Sequence, residues 1–263
     1  MSNYGFQPPT EEELKSSQDA GYVLGGVIPK KVIQEDGQWD NFLPAIEIQR
    51  DTYETSNCTA YGSTNLVEIL FKKLFGEEKN YSERFTGIMA GTRPPGNNPH
   101  SVLETIRKKG LIGDSLLPLS GAKTLEEYYT PDPMTSKFKR IGRDWLKNYT
   151  IKHEWVFMPS DSLETKKNNL KESLRFSPIG ISVYAWLRNG YYVKPANVRD
   201  NHWCVLYGYT DDYWKIFDSY DSTHKKLDYD FNFEYAKRVF LSEAYNECFL
   251  RKLFNRILFS FTA

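Results

Sequence analysis

Cysteine is scarce in this chain. The 263 residues hold only Cys58, Cys204 and Cys248, so at most one pair could bridge, and no CxxC or Cys/His spacing suited to a metal occurs. Any cysteine that matters here matters as a thiol, and neither metal nor cofactor is expected. Charge of one sign is also missing: Lys+Arg and Asp+Glu both number 34, which leaves no global field to draw the chain to nucleic acid or anionic lipid. The longest apolar runs fall short of the roughly 18 residues a membrane span needs. The N-terminus Met1-Ser2-Asn3-Tyr4 lacks the basic and apolar regions of a secretory signal. The expectation is a soluble cytoplasmic protein with no nucleic-acid partner and no membrane span; oligomeric state leaves no mark. What is present is an ordinary globular balance, 40% hydrophobic and 26% charged, rich in aromatics with Tyr 18 and Phe 16.

Residues 1–40 are polar, with Pro8-Pro9, Gly25-Gly26 and a Thr10-Glu11-Glu12-Glu13 start able to cap a short helix, and read as an extension draped over the body. From Ala60 to Phe75, Leu66, Ile69, Leu70 and Leu74 recur at helical spacing up to Gly76. Ser101 to Lys109 predicts a second helix through Val102, Leu103 and Ile106, closed by Gly110. The intervening Gly91-Thr92-Arg93-Pro94-Pro95-Gly96-Asn97-Asn98-Pro99 is a loop by its turn residues. Pro118 to Pro133 reads as loop and Leu163 to Leu174 as helix. Pro178 then precedes the strand-like Ile179 to Tyr184, and His202 to Tyr209 with Tyr213 to Phe217 reads as a hairpin around Thr210-Asp211-Asp212. The chain is thus helical first and sheet-rich second. Near the C-terminus Phe249, Leu250, Leu253, Phe254, Ile257, Leu258 and Phe261 form an apolar stripe interleaved with Arg251, Lys252 and Arg256, which suits packing on the core better than a membrane surface.

Cys58 stands where the loop Glu54-Thr55-Ser56-Asn57 gives way to the long helix. At a helix N-terminus, unpaired backbone N–H groups and the positive end of the dipole stabilise thiolate over thiol. A lone cysteine more often simply packs. His202 and Asp218, on neighbouring apolar strands, alter that balance: an imidazole can take the thiol proton while a side-chain oxygen on a third residue fixes its tautomer.

These residues, in order from about Leu43 to Tyr220, resemble a divergent papain-like cysteine peptidase. Leu43-Pro44 resembles the start of the family's mature domain. Gln49 to Leu70 resembles its Gln-to-Cys segment and central helix, and Tyr81-Ser82-Glu83 the stretch after it. Gly96-Asn97 occupies the place of the glycine pair that meets substrate backbone, and Asn201-His202 through Gly208-Tyr209 with Trp214 resembles the family's Asn-His-(apolar)-Gly-Tyr and following Trp. His202 lies 144 residues after Cys58, inside the roughly 130–150 of the papain type. The resemblance implies a two-lobed α+β fold, a helical N-terminal lobe (about 41–160) and an antiparallel β-rich C-terminal lobe (about 161–263) with the active-site cleft between, and a thiol mechanism. The short, disulfide-free form resembles versions from phages and bacteria.

The departures are specific. The third member, normally Asn followed by Ser and Trp, is here Asp218-Ser219-Tyr220, with Tyr220 able to shield the Asp–His contact. The oxyanion-hole glutamine normally lies six residues before the cysteine, a position held by Thr52; Gln49, nine before, is the nearest. Thr59 replaces the Trp after the cysteine, and Asn97 the second glycine. Only 57 residues precede Cys58, too few for a typical full inhibitory pro-segment plus the mature start, so activation by removal of a long one is not expected. The resulting assignment is hydrolysis of peptide bonds, of a polypeptide or a peptidoglycan peptide, by Cys58, His202 and Asp218. Gln49 is assigned to the oxyanion, Gly96 and Asn97 to substrate, and Tyr184 and Trp186 are candidate groove walls. Two other readings stay open: another Cys-dependent acyl transfer enzyme such as a cell-wall amidase, and an inactive binding module of the same fold.

Overall fold

In the computed structural model, residues 5–14, 31–130, 136–221 and 224–244 are described. The C-terminal apolar stripe and Cys248 lie outside these residues. Helix α1 (Cys58–Phe75) buries almost every side chain as far as Phe71 and so forms the central pillar; it ends on Gly76 in the left-handed conformation (φ 69°), whose N–H returns to the Lys72 carbonyl. Around it stand α2 (Glu83–Met89), α3 (Pro99–Lys109), the short α4 (Leu125–Tyr129) and α5 (Ser136–Asn148). Side chains cap three of these four surrounding helices: Ser82 accepts from the Phe85 N–H, Asn98 from Ser101 and Thr124 from Glu127.

Against the other side of α1 lies an eight-stranded sheet in the order β3-β10-β4-β7-β8-β9-β6-β5, comprising β3 (Tyr149–Trp155), β4 (Ile179–Val183), β5 (Leu187–Asn189), β6 (Tyr191–Val193), β7 (His202–Tyr209), β8 (Tyr213–Phe217), β9 (Lys225–Asp228) and β10 (Ala236–Glu243). All neighbours are antiparallel except β6 and β9. Helix α6 (Leu163–Leu174) packs on β4 and β7. A separate two-stranded parallel pair joins β1 (Gly5–Phe6) to β2 (Gly96–Asn97).

The architecture is the α+β, helical-then-sheet arrangement expected from the sequence. Two glycines bring helix and sheet together where it matters. A Cβ on Gly62 of α1 would lie 2.7 Å from Trp203 Cδ1, and one on Gly180 of β4 would lie 2.4 Å from Trp203 Cζ2. Trp203 therefore wedges between α1 and β4, and the first turn of α1 lies alongside the start of β7.

Several elements escape the sequence reading. Strand β10 carries Lys237 and Arg238 and does not look apolar, yet both are buried: the Lys237 ammonium sits 3.8 Å over the Trp155 ring and Arg238 pairs with Glu154, in register across β3. Cross-strand pairing supplies what periodicity cannot. Its partner β3 is missed with it, and α5 buries only Gly142 and Trp145. The stretch taken as loop from Pro118 to Pro133 contains α4, whose Tyr128 and Tyr129 are buried beside the loop before Cys58.

Carboxyl groups collect beneath α1. Glu68, buried, accepts from the Tyr81 N–H at 2.7 Å, and Glu83, also buried, accepts from Thr64 Oγ1 at 3.0 Å. Burial first, then the nearby Glu47 and Asp114 carboxylates, push Glu68 up to about 8, and burial with Glu47 and Glu68 raises Glu83 well above the carboxylate range. A carboxyl whose folded pKa is raised binds its proton more tightly in the native state. Its contribution is complete below the unfolded value near 4.5 and is lost as pH climbs through about 8. Stability should therefore decline from pH 5 to pH 8 by up to about 1.4 kcal/mol per pH unit for each such group. Glu68→Gln, which can still accept from Tyr81, should flatten that slope; urea unfolding at pH 5 and pH 8 measures it.

Candidate functional site

Cys58 occupies the first turn of α1, and the loop before it is held from several sides. Asn57 Nδ2 donates to the Glu83 carbonyl (3.0 Å) and the Tyr128 hydroxyl (2.8 Å), Tyr129 Oη donates to the Thr55 carbonyl (2.7 Å), and the Ser56 N–H donates to Glu54 Oε1 (2.8 Å). The thiol is fully buried. Burial pushes it well above its ordinary value, the backbone N–H groups of Trp203 and Thr59 oppose that shift, and the Glu54 and Asp218 carboxylates reinforce it. The hydrogen bond from Trp203 ties Cys58 to the residue after His202.

His202 opens β7, opposite Val183 of β4, and is buried. Its Nε2 lies 2.6 Å from Asp218 Oδ1, just beyond the end of β8. Burial would raise Asp218, but the His202 charge and hydrogen bond, followed by those of Lys225, hold it below the usual carboxylate range. Two rings flank the imidazole edge-on, Tyr220 at 5.8 Å and Trp186 at 5.6 Å between centroids. Tyr220 thus packs against the imidazole, and the Arg50 guanidinium lies 4.0 Å from the centre of the Tyr220 ring. Trp186 and Tyr184 follow β4 rather than belonging to it. Both are partly buried against the core, and Trp186 also packs edge-on against His202.

Gln49 is buried in the same neighbourhood despite its unusual offset. Its N–H donates to the Ser219 carbonyl (2.8 Å), its Oε1 accepts from Ser219 Oγ (3.0 Å), and its Nε2 donates to Glu54 Oε1 (2.9 Å). The extra residues between Gln49 and Cys58 carry Glu54, which spans from the Gln49 amide to the backbone of Ser56. In this state the amide is committed to a carboxylate.

Gly96 and Asn97 form β2. The Asn97 side chain turns into its own loop, with Nδ2 donating to the Ala90 carbonyl and Thr92 Oγ1 (both 3.1 Å), which leaves its backbone to pair with an extended chain. The chain's own N-terminal segment takes that place. Gly5 pairs with Gly96 and Phe6 with Asn97, and the Gln7 N–H donates to the Asn97 carbonyl at 2.8 Å. A Cβ on Gly5 (φ 107°) would meet the Ser56 backbone at 2.3 Å, and one on Gly96 (φ 135°) would meet Gly5 O at 2.0 Å. Phe6 stacks on Trp203 (6.1 Å, 3°) in one buried cluster with Cys58. Beyond it the Thr10 and Glu13 side chains cap a helical turn over residues 11–14, as Thr10-Glu11-Glu12-Glu13 suggests, and Glu13 Oε1 accepts from Ser101 Oγ (3.1 Å) and Asn98 Nδ2 (3.2 Å) at the start of α3.

Four residues at this site escape the sequence reading: Phe6, Glu54, Ser219 and Lys225. Ser219 and Glu54 sit inside quoted motifs and could have been singled out; Phe6 and Lys225 lie far from them and only folding brings them in. Cys204 is buried in the core beyond Trp203. Among the described residues no group of three or more His, Cys, Asp or Glu is placed to hold a metal, and no helix is long and apolar enough to cross a membrane.

A helical half carrying the thiol at the start of its central helix, set against a sheet carrying His and its carboxylate, is the fold of the papain-like cysteine proteases. The chain is similar to procathepsin L 3 from the larval midgut of Tenebrio molitor (TM-score 0.57, 16% identity, 83% of this chain and 74% of that one). It is also similar to the proform of the ragweed pollen cysteine protease Amb a 11 (0.54, 14%, 87% and 70%) and to the bromelain protease of Ananas comosus (0.54, 16%, 80% and 98%). No family model matches the chain, and no curated protein matches it by sequence.

Proposed function

We propose that this chain is a cysteine peptidase that hydrolyses peptide bonds through Cys58, His202 and Asp218. The observation that carries the reading is the buried His202–Asp218 pair at 2.6 Å, on the strand whose next residue bonds the Cys58 thiol. With Nε2 engaged by Asp218, Nδ1 is the nitrogen that serves the thiol. The thiolate forms a bond to the substrate carbonyl carbon, the C–N bond breaks, and the imidazolium proton passes to the departing amine. Water then adds to the thioester, giving its proton to His202. The S–C bond breaks, releasing a carboxylic acid and restoring the thiol.

The oxyanion would be held by backbone N–H at Cys58 and by the Gln49 amide once it leaves Glu54. Peptide rather than another acyl donor is favoured by β2, whose backbone pairs with an extended polypeptide beside the thiol. A peptide-library digest followed by mass spectrometry tests the assignment: the parent should release peptides and Cys58→Ala should not. A Cys58→Ala protein that cleaves equally well removes it, and release from peptidoglycan alone moves the substrate to cell-wall peptides.

A further inference from the structure

We propose that Lys225 is a positioning residue of this thiol site, its buried ammonium pairing with the outer oxygen of Asp218 so that a carboxylate orients His202 while remaining electrically balanced. The Asp218 carboxylate is divided between two partners. Oδ1 meets His202 Nε2 at 2.6 Å and Oδ2 meets Lys225 Nζ at 2.7 Å, with the Asp218 and Lys225 side chains both fully buried. Lys225 reaches in from β9, under the Trp186 ring (4.8 Å to the centroid) and beside that of Tyr192 (6.0 Å). Its second partner, Asp221 Oδ1 at 2.7 Å, has a side chain 36% exposed and is screened by water.

Burying a lysine is costly, and where packing is all that is needed an aliphatic side chain does as well or better. The charge therefore needs a use, and the site provides one. With thiolate and imidazolium formed, Cys58, His202 and Asp218 together carry one net negative charge; Lys225 brings the four to zero. An uncompensated carboxylate here would act on both reacting groups, opposing the thiolate and favouring the imidazolium. Lys225 lets Asp218 do what a neutral amide would do in its place, supplying direction to the ring without a net charge. The titratable and charged groups facing this set are Asp221 and Tyr192 beside Lys225, Tyr220 with Arg50 over it beside His202, Cys204 on β7, and Glu54 and Tyr129 on the Cys58 side.

The inference rests on the thiol-hydrolase reading, and one experiment separates the two. In the full-length chain, the rate of iodoacetate modification of Cys58, followed by mass spectrometry of its peptide, is measured against pH. The thiolate displaces iodide while the imidazolium attracts the carboxylate of the reagent, so the rate rises as the thiolate forms and falls as the imidazolium loses its proton, giving a bell. In Lys225→Met both limbs should move to higher pH by roughly one unit, and in Asp218→Asn/Lys225→Met, where neither charge remains, both should return to the parent's position. Unmoved limbs in folded Lys225→Met, or limbs still displaced in the double variant, overturn the proposal. Should Lys225→Met fail to fold, a folded double variant with the parent's bell supports it, and a double variant that is unfolded or displaced overturns it. A Cys58 rate unchanged by His202→Ala denies the hydrolase reading itself; a rate that needs His202 but ignores Lys225 denies only the present inference.

Discussion

Alanine in place of His202 is expected to lower kcat/KM on a cleaved peptide by about 10³-fold, within the 10²–10⁴ that positioned acid–base groups contribute. The loss has two sources. Without the imidazole the thiol loses its assigned base, while burial and the Glu54 and Asp218 carboxylates disfavour the thiolate. The departing amine also loses its proton donor, so any acyl-enzyme would form slowly. Folding and chemistry can be told apart because His202 lies between the Tyr220 and Trp186 rings, where removal leaves a cavity. His202→Gln fills most of that space yet cannot carry the proton. Thermal melting should place His202→Gln nearer the parent than His202→Ala, while the two variants are equally inactive. Substantial turnover in either, on a substrate whose cleavage needs Cys58, contradicts the assigned base.

The second large effect concerns the N-terminal strap. Phe6 is buried against Trp203 and Tyr235, and its neighbour Gly5 fills the space between Ser56 and Gly96. While the strap is seated Cys58 has no exposed surface, and a buried thiol reacts only in the fraction of molecules in which the strap has lifted. Phe6→Ala removes about 2–3 kcal/mol of apolar burial, which corresponds to a rise of roughly 30- to 150-fold in the lifted fraction. The rate of Cys58 modification should rise by the same factor. Gly5→Ala reaches the same result by collision, since its Cβ would overlap the Ser56 backbone. Neither variant replaces the thiol, the imidazole or the carboxylate. Modification rates within twofold of the parent for both would mean that the strap does not gate the site.

The shift to open also bears on Gln49. Its amide is held by Glu54 with the strap seated; under the proposed function, a substrate replacing Gly5–Gln7 on β2 would also require that amide to turn.

The legibility of this chain differed by element. Helix α1 was readable because Leu66, Ile69 and Leu70 recur on one face and Gly76 ends the run; it extends two residues earlier than the periodicity, to Cys58, where no side-chain cap marks the start. The hairpin of β7 and β8 was readable from its β-rich runs and the Thr210-Asp211-Asp212 turn, in which Thr210 Oγ1 accepts from the Tyr213 N–H. Strand β10 was not, because its buried Lys237 and Arg238 meet Trp155 and Glu154 of β3, more than eighty positions away. The Gln49 offset looked like a defect in the linear pattern. Folded, the additional residues form the loop in which Glu54 bridges Gln49 to Ser56.

By itself the sequence determined the α+β class and the chemical types at the site: one cysteine at a helix start, one histidine opening an apolar strand, one carboxylate after the next. Local periodicity and turn chemistry act over a few residues, and these features lie within that range. Only the tertiary structure decided that Asp218 would be shared between His202 and Lys225, that Tyr220 and Trp186 would flank the imidazole, and that Phe6 would cover the thiol. Those contacts join residues from 7 to 197 positions apart. They exist because Gly62 and Gly180 let Trp203 lock α1 onto the sheet and because Gly5 and Gly96 let two backbones meet, which are matters of space that a linear pattern does not record.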